Sequence, residues 1–153
     1  MIRDGCVWVG KNTTPAAGPY GPSGVSCSVG DMPRYSGKRY GLEPLMEKYH
    51  VDMYFTGHIH MYERSFPVMR NLVETSYHEP RGVVHINTGN AGSRSDFSNG
   101  PAQNFTAFRL TDVGCYSRVI FHNATTLTFE QAHAGNGSTL DSFVLVKKRS
   151  TPL

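Results

Sequence analysis

The stretch VDMYFTGHIHMYER, residues 51–64, decides how the rest of the chain is read. Val51 to Thr56 are rich in β-branched and aromatic side chains, which predicts a buried strand closed by Gly57. His58 and His60 follow at once. Two residues apart in extended backbone, both imidazoles project to the same side, and a preceding glycine lets a loop approach an ion closely. Imidazole is a common neutral ligand for zinc and iron. The pair is therefore a candidate metal site, with two solvated loop histidines as the plainer alternative.

Upstream, in GLEPLMEKYH (41–50), Leu42, Leu45, Met46 and Tyr49 recur with helical period, and Pro44 falls where a first helical turn tolerates it. Helix, strand and a glycine-led loop form an α/β arrangement with its chemistry at the strand's carboxyl end. Downstream the chain turns β-rich. Strands are expected at 66–73, 82–88, 106–111, 115–122, 125–132 and 141–148, separated by Gly, Asn and Asp turns in the manner of antiparallel hairpins. In the strand at 125–132, Leu127 and Phe129 share a face. Residues 88–104 read as a long loop, and residues 1–37, dense in Gly, Pro, Ser and Thr, as an irregular segment not clearly native to the fold that occupies 38–150.

Composition bounds the function. At 153 residues, 39% hydrophobic and 11% aromatic, the chain suits one folded domain. A formal charge of +3, evenly spread, is no nucleic-acid footprint. No apolar run approaches the roughly 18–20 residues of a membrane helix, and the first residues lack the pattern of a signal peptide. Yet four N-x-S/T sequons, at Asn12, Asn104, Asn123 and Asn136, favour a glycoprotein with a secreted, lysosomal or vacuolar history. Secretory sequons without a secretory signal suggest a piece of something longer. Cys6, Cys27 and Cys115 have no C-x-x-C spacing, so no zinc ribbon follows and at most one pair is bridged.

The string G-H-x-H-x-Y-E-R at 57–64 resembles the last sequence block of the purple acid phosphatases, within the calcineurin-like metallophosphoesterase superfamily. The similarity runs in order over roughly residues 38–148, through YGLEPLMEKYHVD, VVHINTGNAG, GCYSRVIFHNATTLTFEQA and DSFVLVKK, and is strongest toward animal- and protist-type members. It implies the C-terminal, β-rich portion of an α/β/β/α sandwich: mostly antiparallel strands, with one helix near 41–50. It also implies an acid phosphatase that hydrolyses phosphoric monoesters at a dinuclear centre of iron plus zinc, manganese or a second iron. On that resemblance His58 binds the divalent metal and His60 the iron. Tyr62, Glu63, Arg64 and Arg94 then stand near the ligands or the substrate.

Two histidines cannot hold two metals, each of which needs about four to six ligands, carboxylates among them. The family's earlier ligand blocks have no match. In GDMPRY, Tyr35 lies four residues after Asp31 where the block requires three, and in TGNAG, Ala91 stands where a histidine should follow Asn90. Both are best read as loops. The missing N-terminal part of the same enzyme is therefore an implied partner, beside the phosphomonoester, and the isolated chain is expected to be nearly inactive, with no catalytic residue of its own and at most one loosely bound ion. A non-catalytic secreted glycoprotein fragment that keeps only the scaffold is the rival reading. The other histidines have plain roles: His85 in a strand core, His50 at a helix end, and His78, His122 and His133 at turns or on the surface. Glu63 and Arg64 are as readily a surface pair, and Tyr62 a core aromatic.

Overall fold

A computed structural model describes residues 42–57, 59–70, 72–92 and 102–148 in full. Of residues 1–41 it describes the backbone of three short strands, β1 (Ile2–Arg3), β2 (Cys6–Trp8) and β3 (Val25–Cys27), which pair antiparallel in that order. The remainder of the segment expected to be irregular, with GDMPRY, lies outside the described residues.

Helix α1 (Glu43–Lys48) is shorter than the expected 41–50. Pro44 sits in its first turn, where the missing N–H costs nothing. At its other end His50 takes φ 51°, and Val51 N–H returns to the Met46 carbonyl at 2.9 Å. That is a Schellman closure with a histidine in the left-handed position usually given to glycine. With so little helix, the apolar stripe is not one buried face. Only Met46 is buried, while Leu42, Leu45 and Tyr49 are 39%, 51% and 67% exposed.

The chain then enters β4 (Met53–Thr56), β5 (Tyr62–Met69), β6 (Leu72–Val73), β7 (Val83–Thr88) and β8 (Thr106–Leu110), which form one sheet. β5 is central, with β7 antiparallel on one side and β6 and β8 antiparallel on the other. β4 pairs with β7 in parallel. The single strand expected at 66–73 is instead the end of β5 and a tight return into β6, because Arg70 takes φ 49° and turns the chain back. Pro67, which has no N–H for a ladder, falls where the β5 register slips. β4 is also less buried than expected: it has one paired neighbour, and Phe55 is 43% exposed.

A second sheet has the order β11–β10–β9, built from β9 (Cys115–Asn123), β10 (Thr126–His133) and β11 (Thr139–Val146), all antiparallel. These hairpins follow the sequence expectation closely. The sheets meet over Tyr62, Val84 and Ile86 from the first and Cys115, Phe129, Phe143 and Leu145 from the second, with Leu127 packed on the same side as Phe129. Tyr62, Phe129 and Phe143 form a stacked aromatic line, with centroids 6.3 and 5.4 Å apart. A smaller cluster of Met61, Val68 and Phe105 lies beside it. Among the described residues no helix is long and apolar enough to cross a membrane.

Candidate functional site

β4 and β7 run in parallel and both end in glycine-led loops, at Gly57 and Gly89. In the first loop two short bonds follow one another, Ile59 N–H to the Gly57 carbonyl at 2.9 Å and Met61 N–H to the Ile59 carbonyl at 2.8 Å. Each spans two residues, the geometry of a γ-turn. His60 is the centre of the second turn and is half-buried. His58 lies outside the described residues.

The second loop and its strand hold the first in place. Asn87 Nδ2 donates to the Ile59 carbonyl at 2.9 Å and to the Met61 carbonyl at 2.7 Å, the two carbonyls that flank His60. Its Oδ1 faces the Thr56 hydroxyl on β4, 3.4 Å away. Gly89 N–H also reaches the Met61 carbonyl, at 3.2 Å. A Cβ on Gly89 would stand 2.1 Å from the Ile59 oxygen, so no other residue fits under the loop without moving it.

After the loop, strand alternation sends Tyr62 and Arg64 to one face and Glu63 to the other. Tyr62 hydroxyl donates to Asp141 Oδ2 at 2.6 Å, and Arg64 grips both oxygens of Asp141 at 2.7 and 2.8 Å. The guanidinium also donates to the Tyr77 hydroxyl and lies over the Tyr77 and Phe143 rings, 5.2 and 5.0 Å from their centroids. Burial, reinforced by the bond to Asp141, holds the Tyr62 phenol well above its ordinary range. Burial alone would lower the Arg64 guanidinium, but the bond and charge of Asp141, together with Tyr77 and Tyr62, outweigh it and hold Arg64 above its ordinary range. Glu63 pairs with Arg109 on β8 at 2.7 Å and accepts from the Thr106 hydroxyl at 2.6 Å.

Glu63 and Arg64 are thus not a surface pair. Both are buried, each with a partner on another strand. Tyr62 is fully buried, as a core aromatic should be. Asn90 is buried too, and its amide donates to the Val113 carbonyl and to the Cys115 sulfur, so it holds a loop. Half-buried His85 packs edge-on to Tyr54, and burial pushes its imidazole down to about 4. His122 lies on the surface in β9, with its ring exposed beside Thr128. Asn104, Asn123 and Asn136 are exposed, whereas Asn12 and Arg94 lie outside the described residues. Asn87, Gly89 and Asp141 are the working residues that the sequence reading missed. Only Asn87 carried a signal, as an amide in a largely buried strand that has to find partners.

No group of three or more His, Cys, Asp or Glu side chains among the described residues is placed to hold a metal ion. With one described imidazole in the loop, these residues do not by themselves fit a dinuclear centre. A separate cavity of about 850 Å³, lined by Met46, His50, Met69, Arg70 and Lys147, shares no lining residue with the loop.

Residues 82–142 match the family model described as iron/zinc purple acid phosphatase-like protein C. Acid phosphatase type 7 of Danio rerio is 38% identical over 120 residues, covering 73% of this chain and 27% of that protein. The chain belongs to the purple acid phosphatase family. A probable inactive purple acid phosphatase 27 of Arabidopsis thaliana is 32% identical over 115 residues, covering 72% of this chain and 19% of that one. Among solved structures, a purple acid phosphatase from yellow lupin (Lupinus luteus) seeds superposes with a TM-score of 0.65 at 24% identity, covering 77% of this chain and 21% of that one. That likeness fits the C-terminal, β-rich part of the family fold. The chain spans about a quarter of the Danio rerio relative and less of the Arabidopsis one.

Proposed function

We propose that this chain contributes the last metal-ligand block of an acid phosphatase that hydrolyses phosphoric monoesters. His58 and His60 are ligands to different metals, one iron and one divalent ion (zinc, manganese or iron), and the remaining ligands come from a preceding part of the same enzyme. The observation that carries the reading is the position of the loop: it leaves the carboxyl end of β4, beside that of the parallel strand β7, where α/β sheets place their ligands, and its carbonyls on both sides of His60 are pinned. With the full ligand set in place, such a pair of cations would neutralise phosphoryl charge and lower the pKa of a water. The test uses the protein expressed from the complete gene. His58→Ala and His60→Ala should each lower bound metal and phosphatase activity together, and unchanged metal content in both would overturn the assignment.

The 153-residue chain alone is expected to be nearly inactive on a chromogenic phosphate monoester at mildly acidic pH, with iron and zinc supplied. Losing one preorganised electrostatic contact costs about 10²–10³ in rate, and most of the family's ligand set is outside this sequence. Robust turnover abolished by His58→Ala would overturn this. The second reading, a scaffold without chemistry, is favoured by one observation: a relative of similar identity is named as probably inactive. It predicts no metal-dependent activity from the complete gene product either.

The compartment we propose is secretory, ending outside the cell or in a lysosome or vacuole. Exposed Asn123 and Asn136 each turn their side-chain oxygen onto the residue two positions on, accepting from Thr125 N–H at 2.8 Å and Ser138 N–H at 3.0 Å. Peptide mass analysis after glycosidase treatment of protein from a secretory host should show deamidation at Asn123. Unmodified asparagine at every sequon would argue for a cytosolic protein.

A further inference from the structure

We propose that Asn87 is a positioning residue for His60: its amide clamps the backbone on both sides of the histidine and sets the direction in which the imidazole is presented. The inference deepens the proposed function and rests on it for what His60 binds, but the clamp itself is a matter of backbone geometry. A side-chain amide has two N–H donors and no more. Both are committed to the loop, one to Ile59 O and one to Met61 O, at 2.9 and 2.7 Å.

The surroundings leave the amide little freedom. Asn87 is 4% exposed, next to last in β7, with β4 on one side and β5 on the other. Its register partners are Thr56, the last strand residue before the loop, and Glu63, just after it. Asn87 thus stands between the two ends of the segment it holds. Gly89 completes the seat, donating to Met61 O and leaving no side chain to lift the loop. An apolar residue at position 87 would fill the same space in the sheet but take one donor from each carbonyl, leaving Ile59 O with the Met61 N–H and Met61 O with the longer Gly89 bond. The Asn87 bonds thus act on both carbonyls that flank His60, beside the loop's own two-residue turns and the Gly89 N–H.

The test is run on the 153-residue chain. In the unaltered protein, through-hydrogen-bond NMR couplings should connect the Asn87 side-chain nitrogen to the carbonyl carbons of Ile59 and Met61; absence of both overturns the clamp and needs no variant. In Asn87→Ala and in the similar-volume Asn87→Leu, amide exchange at Ile59 and Met61 should quicken by on the order of 10- to 100-fold, while amides of β9, β10 and β11 keep their protection. Unchanged loop exchange, equal loss of protection in every strand, or recovery of loop protection in Asn87→Leu would each show that Asn87 merely packs. Zinc alone, titrated into the same proteins, separates this inference from the reading it rests on. His60→Ala and Asn87→Ala should both weaken zinc binding, the latter by on the order of tenfold. Zinc affinity indifferent to His60→Ala, with loop exchange still released in Asn87→Ala, would sink the ligand role and uphold the clamp; the reverse pattern would sink the clamp alone.

Discussion

His85 shows what burial does to one residue. It lies in β7, under Tyr54, and the cost of placing a charge there pushes its imidazole from 6.5 down to about 4. The sign follows from proton counting. Between those values the unfolded chain holds a proton that the folded chain refuses, so the contribution is complete above about 6.5 and is lost as pH falls toward 4. The full loss is about 3 kcal/mol, at about 1.4 kcal/mol per unit. A protein that worked in an acidic compartment would carry part of that penalty. His85→Gln should therefore flatten the pH dependence of denaturant midpoints between pH 6.5 and 4. Parallel profiles for the two proteins would mean that another group carries the acid sensitivity. Gly89 illustrates a steric limit at the same scale. With 2.1 Å from an added Cβ to the Ile59 oxygen, Gly89→Ala should displace the loop while leaving the second sheet's amide protection intact.

At the scale of elements, the Y-E-R half of the motif joins strands. Tyr62 and Arg64 carry β5 onto Asp141 of β11, across the gap between the sheets and 77 positions further along in the case of Arg64. Glu63 fastens β5 to β8 through Arg109. The Arg64–Asp141 pair has both side chains only 7% exposed. Removing one partner from such a pair leaves an unpaired buried charge and costs about 3–5 kcal/mol, whereas replacing both with apolar residues of similar volume is often close to neutral. Arg64→Met should lower stability by that amount, and Arg64→Met with Asp141→Leu should recover much of it. Equal losses in the single and double variants, measured by urea unfolding, would show that the pair is not held as described.

At the scale of the whole molecule, three apolar side chains beside the core are exposed among the described residues. Phe55 packs tilted against Phe129 at 6.1 Å, Val119 is its register neighbour on β9, and Phe121 lies opposite Leu127. These three are 43%, 37% and 75% exposed. A contiguous apolar strip beside an edge strand is prone to self-association in isolation. Phe121→Lys should lower the weight-average mass seen by sedimentation at high concentration without lowering the melting temperature. An unchanged distribution would show that the strip is not sticky.

The sequence by itself determined the local order of this protein. The strands at β7, β8, β9, β10 and β11 were legible because a period of two, β-branched and aromatic residues and short polar turns act over neighbours in the chain. The glycine-led loop after β4 was legible too, since a glycine closing a β-branched and aromatic run is a local signal. The return at Arg70 was not, because an arginine gives no warning of a left-handed backbone. Nor was the exposure of most of the α1 stripe, which depends on what lies across from it. Tertiary structure alone decided the roles of Glu63 and Arg64, whose partners lie 46 and 77 positions away, and that of Asn87, which reaches back 28 positions to hold Ile59. A side chain's neighbours in space are set by how sheets pair and stack, and no window of adjacent residues contains that information.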